Sequence, residues 1–194
     1  MQFSPFPDVI LIDQHDQEIG KAEKIKAHQD GLLHRAFSVC LYRPIHPSLS
    51  LDPFKNFELL LQKRHKTKYH SGGLWTNTCC SHPQPNQNIQ TEAEKSLLYE
   101  MGITASLKEI SVFHYKGSLG NDLIENEIDH VFAGQFSPQS FSPNFQEIED
   151  YQWISLDSLK KRLKSSSSEF TIWFPKVFNV FCDYIEQKEK GGSF

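Results

Sequence analysis

Cysteine is scarce in this chain and poorly placed for cross-linking: four residues in 194 (Cys40, Cys79, Cys80 and Cys182), two of them adjacent. Such a set makes a poor disulfide framework, so a reducing, cytoplasmic setting is expected. Charge of one sign is lacking too. With 24 acidic against 20 basic side chains the net charge is −4, which leaves no basic footprint for nucleic acid. No apolar run approaches the roughly 18 residues that a membrane span needs. The opening stretch, MQFSPFPDVILIDQHDQEIG, has no basic region ahead of its apolar run. What remains is a core former, with 38% hydrophobic residues and fifteen phenylalanines. At about 150 residues per domain, residues 1–194 are expected to be one domain acting as a monomer, with no nucleic-acid or membrane partner.

Strands are expected at residues 9–12, 34–42 and 57–62; after the first, polar residues with Gly20 turn the chain into a second, more polar segment. Three prolines in RPIHPSLSLDPFKN make residues 43–56 a loop or hairpin excursion. Glycines, prolines and asparagines forbid a helix from the basic run at 63–68 until about Ile89. From there IQTEAEKSLLYEM carries an apolar stripe (Ala93, Leu97, Leu98, Met101) and reads as a helix stopped by Gly102. Strands resume at 110–115 and 124–136, divided by a Gly/Asn turn. EDYQWISL then leads into a helix at 156–163. A last helix at 172–187 places Phe174, Val177, Phe178, Phe181 and Ile185 on one side. Strands without strict βαβ alternation indicate an α+β domain.

Several groups of residues carry possible chemistry. In WTNTCCSHP, Cys80 and His82 are two apart in extended chain and project to one side. The residues alone support two readings: a thiolate held by a nearby cation, or a structural cysteine beside a loop histidine. Glu125 and Glu127, in ENE, share one face of a strand. Read alone they are solvated acids of an edge strand; otherwise a cation lies between them or one of them is protonated. His28 and His34 flank Gly31 and can meet across a turn, adding nitrogen ligands for a divalent metal. Glu100 sits at a helix C-terminus, where its charge opposes the helix dipole and invites a cation. Trp75, Trp153 and Trp173 default to core packing.

Taken in order, GLLHRAFSV, LWTNTCCSHP, YEMG, ENEIDHVF and DYQW closely resemble the metal-dependent, non-flavin isopentenyl-diphosphate isomerases. These enzymes interconvert isopentenyl and dimethylallyl diphosphate on a Nudix-like fold. The resemblance spans about Glu23 to Trp173 and implies a mixed sheet flanked by helices in a single compact domain, with a further C-terminal helix. It implies His28, His34, His82, Glu125 and Glu127 as ligands of one divalent metal, Mn²⁺, Mg²⁺ or Zn²⁺. It implies Glu100 as ligand of a Mg²⁺ that bridges to the substrate diphosphate, which Lys24, Arg64 and Lys68 would grip. Cys80 resembles the catalytic thiol, opposed by Glu127 with Tyr115 beside it, and the ring of Trp173 would face a cationic intermediate. Laid on a Nudix box, Ser81, Gln87, Lys95-Ser96 and Tyr99 stand where its Gly, first Glu, Arg-Glu pair and another acid belong. Only Glu100 and Gly102 of that box survive, which disfavours pyrophosphate hydrolysis. Some members carry an Arg where Ser96 stands.

Overall fold

Apolar runs too dense for a one-faced strand account for the centre of the molecule. In the computed structural model, which describes residues 7–45 and 50–191, Phe57–Arg64 (β4) turns Leu59 and Leu61 to one apolar cluster and Leu60 to another. The strand is therefore buried on both faces, in keeping with its unbroken Leu59-Leu60-Leu61 run. In the same nine-stranded sheet His34–Pro44 (β3) lies beside it, and Leu123–Gln135 (β8) lies on the far side of β3. β3 and β8 run parallel, with His34 opposite Glu127, whereas β3 and β4 are antiparallel. The sheet is mixed and its connections do not alternate strand and helix, in accord with the α+β expectation.

The remaining strands are β1 (Asp8–Ile12), β2 (Glu18–Glu23), β5 (Trp75–Thr76), β6 (Cys79–Ser81), β7 (Lys108–Gly120) and β9 (Ile148–Ser155). Helix α2 (Ile89–Met101) covers one face, and α3 (Leu156–Ser165) and α4 (Phe174–Glu189) cover the other. α2 has the bounds its sequence predicts: Asn88 Oδ1 accepts from the Thr91 amide, and Gly102 ends the helix at φ 68°. α4 begins two residues later than expected. Pro175 is compatible only with the first turn and sets the start beside it. The five apolar residues expected on its inner side are all buried.

Three expectations need correction. The first turn is made by the polar residues Asp13–Gln17 without Gly20, which lies inside β2, the second, more polar segment; Asp13 Oδ1 accepts from the His15 and Gln17 amides. A helix that hydrophobic periodicity does not reveal, α1 (Lys24–Asp30), follows β2. It is short and buries only Ala27 and His28, so no stripe exists to be read. Glu125 and Glu127 are not on an edge: β8 pairs with β3 on one side and β7 on the other, and they are 2% and 5% exposed. The β7–β8 turn is Asn121-Asp122, both at positive φ, the geometry of a two-residue hairpin loop. Part of the proline-rich excursion, residues 46–49, lies outside the described residues.

Candidate active site

The two histidines before and at the start of β3 are brought together by one left-handed residue. Gly31, at φ 61°, ends α1 and turns the chain back, so His28 in the last turn and His34 at the start of β3 place their ring centroids 4.8 Å apart. Each Nδ1 hydrogen faces a backbone carbonyl, His28 to Lys24 at 2.7 Å and His34 to Leu32 at 2.8 Å. That choice leaves both Nε2 lone pairs facing inward.

The third histidine arrives from β6. The WTNTCC string holds its shape through its own side chains: Thr78 Oγ donates to Leu60 O at 2.6 Å, and Asn77 Nδ2 donates to Cys79 O at 2.6 Å. β6 pairs with β3, and the alternation puts Cys79 in the core beneath α2 while Cys80 faces the opposite side with His82. His82 Nε2 lies 2.8 Å from Glu127 Oε1, and His34 Nε2 lies 3.1 Å from the same oxygen. Ligand atoms of His28, His34, His82 and Glu127 all fall within 4.8 Å of one another. Glu125 joins this group through His28, with Oε2 at 3.3 Å from Nε2.

These groups form the floor and wall of a partly open cavity. Ten of the twelve site residues expected from the sequence line it: Lys24, Arg64, Lys68, Cys80, His82, Glu100, Tyr115, Glu125, Glu127 and Trp173. His28 and His34 lie behind the wall, fully buried. Tyr115 donates a hydrogen bond to Glu127 Oε2. Glu100 accepts from Gln62 at 2.9 Å, and the Cys79 thiol lies 3.6 Å from its other oxygen. Lys68 is ion-paired with Glu147, and the Arg64 guanidinium lies 5.4 Å from the Trp173 ring centroid. The Trp173 Nε1 is buried without a partner.

Burial governs the proton affinities. It pushes the Cys80 thiol up to about 12 despite the nearby Arg64 charge, so the resting group is the thiol and not the thiolate weighed from sequence. Burial and the neighbouring Glu127 charge raise Glu125 well above the carboxylate range. For Glu127 burial also acts upward, but the two imidazoles at its Oε1, His34 and His82, prevail and hold it well below. Burial takes His82 down to about 3, which keeps it neutral and able to ligate. Buried imidazoles and carboxylates converging with aligned lone pairs, one of them the unpartnered Glu125 Oε2, form a donor set suited to a divalent ion.

Comparison with known proteins agrees with this geometry. The NUDIX domain model matches residues 33–174. A protein of Photorhabdus laumondii subsp. laumondii named Isopentenyl-diphosphate Delta-isomerase 2 is 43% identical over 171 residues, covering 88% of this chain and 90% of that one. An Isopentenyl-diphosphate Delta-isomerase of Photobacterium profundum is 43% identical over 182 residues, covering 93% and 97%. The chain belongs to the isopentenyl-diphosphate isomerase family, on a Nudix domain. Its fold is shared with a Deinococcus radiodurans structure, DR0079, at a TM-score of 0.67 and 12% identity, covering 90% of this chain and 99% of that one.

Within this isomerase-family site the structure adds four groups that the sequence reading did not assign. Asp129 follows Glu125 and Glu127 on the same face of β8. It accepts from Ser38 Oγ at 2.8 Å, and burial raises it to about 8. The period-two alternation was its available signal. Tyr69 and His70 enter from the 65–74 loop, and Glu147 from the chain before β9. Loop backbones carry no such periodicity, so nothing local announced these three.

Proposed function

We propose that the protein interconverts isopentenyl and dimethylallyl diphosphate by adding a proton to one carbon of the alkene and removing another from a neighbour. The observation that carries this reading is the placement of two protic groups, the Cys80 thiol and the Tyr115–Glu127 pair, on the lining of one cavity that also holds Lys24, Arg64 and Lys68. An unactivated alkene is a very weak base, so its protonation creates a tertiary cation of high energy. The site must be pre-organised and largely closed to water. Cys80, held as a thiol, has a proton to give, and Glu127, held ionised, can receive one. When bound, a divalent ion held by His28, His34, His82, Glu125 and Glu127 supplies positive charge that sharpens the acidity of its carboxyl and phenol neighbours, and Mg²⁺ held by Glu100 offsets diphosphate charge. The three cations grip the diphosphate away from the reacting carbons, where binding energy serves orientation. The native metal is among Mn²⁺, Mg²⁺ and Zn²⁺.

A Nudix diphosphate hydrolase is the rival on the same scaffold, and a non-catalytic metal-binding module is another. Hydrolysis requires the acidic box, and this chain has Gln87, Ser96 and Tyr99 at its positions. Incubation with isopentenyl diphosphate and Mg²⁺ separates the three. Isomerisation yields an acid-labile allylic diphosphate, hydrolysis releases phosphate directly, and a binding module does neither.

Burial, reinforced by the charges of Lys68 and Arg64, lowers Lys24 to about 8. Its charged form is the one that holds diphosphate, so raising the pH through about 8 should lower kcat/KM for the substrate. Lys24→Arg should move that alkaline limb upward, because a guanidinium stays charged. An unchanged limb in the variant would remove Lys24 from the diphosphate grip.

Trp173 both packs in the core and lines the cavity. If it only packs, Trp173→Phe costs about 1 kcal/mol of stability and turnover per folded molecule persists. Facing a cation, it should give a graded series in kcat, Trp above Phe well above Leu, with less change in KM. Equal turnover in the Phe and Leu variants would make it a core residue alone.

A further inference from the structure

We infer that His70 is a sixth protein ligand of the divalent ion held at the histidine–carboxylate site, an inference that rests on the ion site proposed above. Its Nε2 lies 3.7 Å from Glu125 Oε1, and its ring stacks on that of His28 at 5.5 Å between centroids. Ligand atoms of His28, His70 and Glu125 lie within 4.8 Å of one another, a second group beside the quartet of His28, His34, His82 and Glu127.

The two groups share His28, and that sharing decides between one ion and two. The Nδ1 of His28 donates to Lys24 O, so only its Nε2 carries a lone pair. One lone pair serves one cation. Both groups therefore belong to a single ion, and Glu125 and His70 are drawn toward the quartet when it binds. Opposite ligands of a six-coordinate ion with bonds of about 2.1 Å lie about 4.2 Å apart, which is within the spread of each group.

His70 is prepared for this role much as His28 and His34 are, through a contact at Nδ1. Its Nδ1 lies 3.2 Å from Ser71 Oγ, a partner that leaves Nε2 to face Glu125, and its side chain is 6% exposed. The loop that carries it is fixed by Arg64, whose guanidinium donates to His70 O at 3.3 Å and whose carbonyl accepts from Gly73 N at 2.9 Å. At Gly72 a Cβ would come within 2.6 Å of Lys66 O, so the close approach that shapes this loop admits glycine there. The quartet alone would satisfy a tetrahedral ion. With Glu125 and His70 the site offers six donors, the number that Mn²⁺ and Mg²⁺ prefer.

The test uses Mn²⁺ on the full chain after chelator treatment, comparing wild type with His70→Ala and with His70→Phe, which keeps the ring stack but offers no donor. Stoichiometry and affinity are read from free Mn²⁺ by electron paramagnetic resonance, and coordinated water from solvent proton relaxation per bound ion. One ion per chain is expected in all three proteins, held roughly 10- to 100-fold more weakly in the variants. Both variants should gain an exchanging inner-sphere water that wild type lacks. The same water count in wild type and variants overturns the inference even if affinity falls, because a residue that only orients Glu125 would change affinity without opening a coordination position. Two ions in wild type with one lost in the variants also overturns it. Failure of wild type to bind Mn²⁺ instead defeats the ion site itself, an outcome separate from these. Apo-protein melting curves identify a variant that has failed to fold, and the other variant then carries the comparison.

Discussion

Cys80→Ala is expected to cut turnover by roughly 10²–10⁴-fold, the range for losing one positioned acid or base, while Cys79→Ala retains most of it. The two residues are adjacent, yet β6 sends them to opposite sides: Cys79 into the apolar cluster under α2, Cys80 onto the cavity lining. Cys79→Ala removes only a buried sulfur and its contact with Glu100, so its expected cost is about 1 kcal/mol of stability. Cys80→Ser should fall nearly as far as the alanine variant, since a hydroxyl is a much weaker acid than a thiol. Substrate binding should survive in both, because the proposed diphosphate grip of Lys24, Arg64 and Lys68 is left intact. Steady-state kinetics on the three variants check this, and equal losses at the two positions would sink the assignment.

Glu127→Gln should be at least as damaging, because one carboxylate serves two ends. Its Oε1 meets His34 and His82, and its Oε2 accepts from Tyr115. The amide keeps the shape but cannot take up a proton as the carboxylate does, and it is a poorer ligand for a divalent cation. We expect a loss of roughly 10³-fold or more in kcat, equivalent to about 4 kcal/mol, together with loss of tightly held metal on elemental analysis. KM should move little, since the residue lies apart from the diphosphate grip. A variant that keeps stoichiometric metal and more than a tenth of the activity would contradict both roles.

Much of this arrangement was legible in the sequence wherever local chemistry set it. The α2 boundaries follow from Asn88, an apolar stripe and Gly102, and the separation of Cys80 from Cys79 follows from extended geometry. The meeting of His28 with His34 follows from a glycine between them. What local pattern could not supply is the parallel pairing of β3 with β8, which puts His34 opposite Glu127 across 93 residues of chain. That pairing turns an acidic pair that reads as solvated edge into a buried site. It is also why the family resemblance, and not spacing, carried the ligand set. α1 escaped notice because seven residues with two buried side chains leave no periodicity. His70 escaped because its position depends on how the 65–74 loop is tied to Arg64.

In the proposed mechanism two separate protic groups, each re-equilibrating with solvent between turnovers, add one proton and remove another. Its most direct test is to follow isopentenyl diphosphate with the protein and Mg²⁺ in D₂O by proton NMR, stopping at low conversion. The account predicts dimethylallyl diphosphate bearing solvent-derived deuterium in one methyl group, with no phosphate released. Product formed without deuterium would mean that a single group carries the same proton across, and release of phosphate without allylic product would mean that the protein is a hydrolase.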